Sequence, residues 1–253
     1  MRLVFLEKYT SREDRPLSDV PISVIIFLVF ALLLQLIWHN MQAPMLANAE
    51  DLTPPFSTQT YVLSSLAEPI AVSKILNLWL QAFDNQPGIS LSFHQLNYPL
   101  LTKWLDTILA LDPEGQYPML VATNVYGSIN DPVKQRIMTE YVFTKFNQQP
   151  NKYWRWLAHA VITARHEIKD NALALKYADA LAEKATGKNV PYWAKDMKII
   201  ALEDMGEIEA AKVLVGALLE SKQITDPYEL NFLTNKIATL EEKAFKKRQS
   251  VEK

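Results

Sequence analysis

The residues that could do chemistry in this chain are few. There are four histidines, His39, His94, His159 and His166, and no cysteine. The missing thiols exclude disulfides, thiol catalysis, iron–sulfur clusters and Cys-ligated zinc. His159 and His166 sit seven residues apart on one expected helix, with Glu167 beside them, which raises the question of a metal site. Seven residues rise about 10.5 Å along a helix axis, too far for two ligands of one ion. The pair is therefore read as solvated or groove-lining. The chain has no G-x-S-x-G, no Walker loop, no Rossmann glycine pattern and no H-E-x-x-H. No catalytic residue, cofactor or metal is expected. The alternative is an all-α cell-envelope hydrolase, which needs two carboxylates at the end of a groove. Glu203 and Asp204 are adjacent, so they point to different sides of their helix. Glu140, Glu167 and Asp170 find no partner by spacing.

Binding chemistry is better represented. "KYWRWLAHA" (152–160) is dense in aromatics, and Tyr117, Tyr153 and Tyr192 each open an expected helix, with Trp154, Trp156 and Trp193 in the same layer. Such residues either pack between neighbouring helices or line a groove that holds a peptide. The residues assigned to partner binding are Arg155, His159, His166, Asp196, Tyr153 and Trp154. The first four are polar and off the apolar seam. "KAFKKR" (243–248) is read as a solvated cluster that complements a helix C-terminus.

Stepping 37 residues at a time brings the expected helices into register. Leu100, Ile137, Ala174 and Ala211 form one apolar column, and Trp104, Tyr141, Ala178 and Val215 another four residues on. Positions i and i+4 share a helix face, so these columns predict a buried seam. A further set, Leu120/Leu157/Ala194, Thr123/Ala160/Met197 and Gly127/Ala164/Ala201, falls at i, i+3 and i+7. The last column holds only Gly and Ala, which lets helices approach closely. Three helix–turn–helix units follow, near 116–150, 152–188 and 191–223. An irregular pair, 68–85 and 97–111, precedes them. Asp112-Pro113, Asp131-Pro132, Pro150, Pro191 and Asp226-Pro227 break the helices apart. Asp131-Pro132 and Asp226-Pro227 also suit N-cap plus first-turn positions.

"EDMGEIEAAKVLVGALLESKQITDP" and "HEIKDNALALKYADALAEKATG" resemble the second halves of tetratricopeptide repeats: a turn at Gly206 or Lys169-Asp170, then Ala211 or Ala174 in the helix. The resemblance covers about 150 residues. Its period of 36–37 exceeds the family's usual 34, and the first-helix Trp–Leu-Gly–Tyr signature is not kept. It implies an all-α, TPR-like α-solenoid that binds proteins or peptides.

The N-terminal part reads differently. Residues 21–38, "PISVIIFLVFALLLQLIW", have only Ser23 and Gln35 as polar groups. Eighteen helical residues rise about 27 Å, near the thickness of a bilayer core. Arg2, Lys8, Arg12 and Arg15 precede the span, and the first basic residue after it is Lys74. The positive-inside rule then puts the N-terminus in the cytoplasm and the remainder across the membrane. The expected layout is a cytoplasmic segment 1–20, a transmembrane helix 21–39, a proline-bearing linker 40–58, a helical repeat domain 59–242 and a basic tail 243–253. Ala47-Asn48-Ala49 suits a signal-peptide cleavage site, so a secreted binding protein released after Ala49 is the other outcome. The formal net charge of −2 argues against nucleic-acid binding. No N-x-S/T sequon occurs despite thirteen asparagines, which fits a bacterial envelope. The expectation is a single-pass protein of a bacterial inner membrane with a periplasmic domain. That domain scaffolds, helps assemble or forms part of an envelope complex, and its partner is another membrane or envelope protein.

Overall fold

The computed structural model describes residues 20–42, 49–221 and 224–251. The basic flank Arg2, Lys8, Arg12 and Arg15 and the Ala47-Asn48 pair lie outside the described residues. The chain divides into two units, 1–48 and 49–253.

In the first unit α1 runs Ile22–Met41, starting after Pro21, and none of its residues is buried. Apolar side chains cover it all round, so it has no face to turn to water and another to a core. Its length and a mean hydropathy of 2.5 are enough to cross a membrane, a property shared by signal sequences.

The second unit is helical: α2 (Thr58–Ser64), α3 (Pro69–Gln81), α4 (Tyr98–Leu111), α5 (Tyr117–Asn124), α6 (Pro132–Gln148), α7 (Pro150–His166), α8 (Asn171–Lys184), α9 (Tyr192–Asp204), α10 (Ile208–Glu220) and α11 (Pro227–Val251). A small antiparallel ribbon, β1 (Asn85–Gln86) with β2 (Ile89–Ser90), joins α3 to α4 and turns at Gly88, whose φ is 78°. Local chemistry explains the helix ends. Asp131 Oδ1 accepts from the N–H groups of Val133 and Lys134, and Asp170 Oδ1 from that of Leu173, satisfying first-turn donors that have no helical partner. Asp226 Oδ1 accepts from Tyr228 N–H, as its Asp-Pro pairing predicts. Two hairpin turns need a left-handed residue. Gly206 supplies it freely at φ 77°, and Lys169 at φ 59° with some strain.

From α6 onward consecutive helices pack on one another, and α3 packs on α4. Trp104, Tyr141, Ala178 and Val215 are all buried, as are Gly127, Ala164 and Ala201. In the other seam column Ala174 and Ala211 are buried, and Leu100 and Ile137 half-buried. A Cβ at Gly127 would lie 2.9 Å from Ala122 O, so that turn admits no side chain without a shift. The core forms two clusters. The larger extends from Leu52 to Ala201; the smaller joins α9, α10 and α11 through Ile199, Val215, Leu233 and Leu240. Polar links cross between hairpins: Arg136–Asp170 at 2.6 Å, Lys176–Glu140 at 2.8 Å, Lys184–Asn147 at 2.6 Å and Arg165–Asp204.

Two expected boundaries shift. The linker assigned to 40–58 is in its second half part of the folded unit. Leu52 is buried, Trp104 Nε1 donates to Thr53 O at 2.8 Å, and Glu50 N–H donates to Gln86 Oε1 at 2.7 Å. The tail assigned to 243–253 opens as helix: α11 continues through 243 to Val251, Ala244 is buried, and Lys243 reaches Glu203.

Candidate functional site

Helix α7 places Arg155, His159 and His166 on one face, together with exposed Ile162. The spacings of four, three and four residues bring these positions within about 60° of one another around the axis. Arg155 and His166 are exposed, and His159 is half-buried. The Arg155 guanidinium lies 5.2 Å from the centre of the Trp154 ring, which in turn meets Trp193 edge-on at 5.7 Å. His159 Nδ1 lies 3.4 Å from Thr163 Oγ1 and borders a cavity of about 10 Å³ beside Thr123, Thr139 and Thr163. That is roughly the room one water needs. Burial lowers the His159 pKa, so the ring is neutral at pH 7. The exposed α7 strip thus presents the Arg155 guanidinium beside the Trp154 ring, with the His159 and His166 imidazoles following along the same face.

The other three assigned residues lie elsewhere. Tyr153 and Trp154 are buried and serve the packing between helices. Burial, then the Glu114 carboxylate, raises the Tyr153 pKa. Asp196 is only 3% exposed and does not line the α7 face. It lies against Glu229 in the first turn of α11. Asp196 Oδ2 and Glu229 Oε1 are both buried, and the two carboxyls hydrogen-bond each other, which requires a proton between them. Burial, reinforced by Glu229, lifts the Asp196 pKa to about 8. Two like charges cannot both persist there, so the pair keeps a proton at neutral pH.

Four of the five acids considered for hydrolysis form ion pairs, Asp204 with Arg165 among them, and Glu167 is exposed. Glu140 pairs with Lys176, Asp170 with Arg136, and Glu203 with both Lys236 and Lys243 of α11. Those lysines hold the Glu203 carboxyl below its usual range although burial pushes the other way. Among the described residues no group of three or more His, Asp or Glu side chains is placed to hold a metal ion.

One site was not foreseen. Between α3 and the start of α5 lies a cleft of about 310 Å³ lined by Ser73, Lys74, Asn77, Leu78, Tyr117 and Pro118. Its signal was present in "PIAVSKILNLWLQ": Ser73 and Asn77 share one side of that helix, while Ile75 and Leu78 share the other. No protein-family model matches the chain, and neither a curated protein nor a solved structure matches it significantly.

Proposed function

We propose that this chain is a membrane-anchored protein-interaction module, with α1 as anchor and the helical unit as a short α-solenoid on the far side of a bacterial inner membrane. It binds another envelope protein and acts as scaffold, assembly factor or accessory subunit. The observation that carries the reading is the ladder of side-chain links between residues 33 to 40 apart, one hairpin length, which recurs from Arg136–Asp170 to Lys243–Glu203. Each exposed link is worth only about 0–1 kcal/mol, so the ladder matters as evidence of stacking rather than as a source of stability. Stacked hairpins present long surfaces, and such surfaces bind proteins or peptides. An apolar helix exposed all round supports the anchor, and anchoring raises the local concentration near membrane partners.

The test is recovery of cross-linked partners from intact cells. Replacing Arg155, His159 and His166 together by Ala removes the polar strip of α7. All three are off the buried seam, so the melting temperature is expected to change little and partner recovery to fall. Full recovery of every partner by the triple variant would reject the α7 surface.

Orientation has its own test. A reporter active only outside the cytoplasm is expected to work when fused after Lys253 and to fail when fused after Asp19; the reverse pattern would overturn it. One observation favours a second reading, release by cleavage: the compact unit begins at Ala49, at the edge of the candidate cleavage site. The mass of the mature protein distinguishes the two.

A further inference from the structure

Residues 52–67, "LTPPFSTQTYVLSSLA", carry no charged side chain. They include the first part of the folded unit and all of α2. Helix α2 packs on α4 and α3, with Thr58, Tyr61 and Ser65 on its covered side. Its outward side shows Val62 and Leu63 beside Gln59 and Thr60, and Leu63 is 83% exposed. The turn that follows holds Leu66 at φ 51° and Ala67 at φ 70°. That left-handed region suits glycine, and a leucine there is strained. The turn is nonetheless fixed by hydrogen bonds: Ser65 Oγ donates to Val62 O at 2.7 Å, and Glu68 N–H donates to Ser65 O at 2.9 Å. Its effect is to hold Leu66 out in solvent, 91% exposed. Phe56, also exposed, lies beside the same helix, with its ring 6.1 Å from that of Tyr61. Single exposed apolar residues are ordinary, but a group of them on one turn marks a contact surface.

Chain connectivity says what this surface can reach. Met41 ends α1 and Ala49 opens the folded unit. The chain between them spans at most about 29 Å even when fully extended. Shortly after Ala49, Thr53 O accepts from Trp104 Nε1 at 2.8 Å, and the Trp104 ring lies 6.3 Å from that of Tyr61 on α2. The apolar turn therefore belongs to the same corner of the unit as the point where the chain from α1 enters it. We propose that the α2–α3 turn, led by Leu63 and Leu66 with Phe56 beside them, inserts into the interfacial layer of the bilayer as a second point of attachment. This contact presupposes α1 as the anchor proposed above. The anchor raises the local concentration of lipid at the turn far above that of any diffusing partner. Gln59, Thr60 and Ser64 around the leucines are uncharged, so lowering the turn among headgroups strips no ion of its water. Asp51 and Glu68 bound the stretch at either end, which favours zwitterionic over anionic lipid. Burial of the leucines offsets their exposure to water and the strain at Leu66. A second attachment also fixes which side of the helical unit faces the bilayer.

The chain has no cysteine, so one introduced cysteine takes one label. Ser64→Cys carries an environment-sensitive NBD fluorophore at the turn, and Val213→Cys carries it at an exposed site on α10. The full chain is reconstituted into phosphatidylcholine vesicles, with and without a lipid bearing a nitroxide on its acyl chain. The nitroxide is expected to quench the label at position 64 several-fold more strongly than the label at 213, with blue-shifted emission at 64 alone. Adding Leu63→Glu and Leu66→Glu to the Ser64→Cys chain should bring quenching down to the level at 213. Both leucines are exposed, so the unfolding midpoint in detergent should stay where it was. Equal quenching at the two sites, or quenching that survives the double substitution, would overturn the proposal and leave the anchor standing. A blue shift at 64 without quenching would put protein rather than lipid over the turn and overturn it as well. A chain that does not float with the vesicles would reject α1 as the anchor and the second contact with it.

Discussion

Asp196→Asn is expected to make the helical unit more stable at pH 8, by as much as several kcal/mol, and to change it little near pH 4. The parent Asp196 has its folded pKa raised to about 8 from an ordinary 3.8, first by burial and then by Glu229. Between those values the folded chain holds a proton that the unfolded chain has released. Folding is then opposed progressively as pH rises from about 4 to 8, with a slope of at most about 1.4 kcal/mol per pH unit for one proton. Among the described residues the lysines near this pair are engaged elsewhere. Lys195 lies over the Tyr192 ring, Lys198 pairs with Asp179, Lys212 with Glu209, and Lys236 with Glu203. Asparagine keeps the volume and offers an N–H donor to the Glu229 carboxylate. Urea unfolding of the full chain in mild detergent, followed by tryptophan fluorescence across pH 4–9, should show a sloping midpoint for the parent and a flatter one for the variant. Glu229→Gln should flatten the profile in part, because Glu229 adds to the burial that raises the Asp196 pKa. Parallel profiles for parent and variants would mean that the two carboxyls do not share a proton.

The contrast between Asp196 and the α7 residues shows what the sequence could and could not disclose. Arg155, His159 and His166 belong to one helix, so arithmetic on the helical period was enough to put them on one face. The partner of Asp196 arrives 33 residues later on α11, across an interface that spacing within α9 cannot reveal. Helix ends were legible where Asp-Pro pairs cap and start a helix in one step. The linker boundary was not, because Pro54-Pro55 reads as loose chain although Trp104, some fifty residues away, pins Thr53 and covers the segment. Helix α3 was legible as a helix, but the sequence did not say that Ser73 and Asn77 would be buried beside Leu80 while Ile75 and Leu78 stay exposed. Leu80 and the Ser73 hydrogen bond to Ile108 O hold that side of the helix against its neighbours.

Ala201→Leu is expected to cost about 1–3 kcal/mol, against less than about 0.5 for Lys212→Leu. Ala201 is buried on α9 in the column it shares with Gly127 and Ala164. Leucine adds three carbons to a position where only small residues occur in register. The strain spreads because α9 belongs to both cores: Ala201 packs in the larger cluster and Ile199 in the smaller. Overpacking one side of α9 displaces the element on which α10 and α11 are assembled. Lys212, by contrast, is half-exposed on α10 and pairs with Glu209 at 3.4 Å, a surface contact worth little. Urea unfolding of the two variants side by side decides the matter. Equal losses would mean that the small-residue column does not mark the tight side of these helices, and the 37-residue register would fall with it.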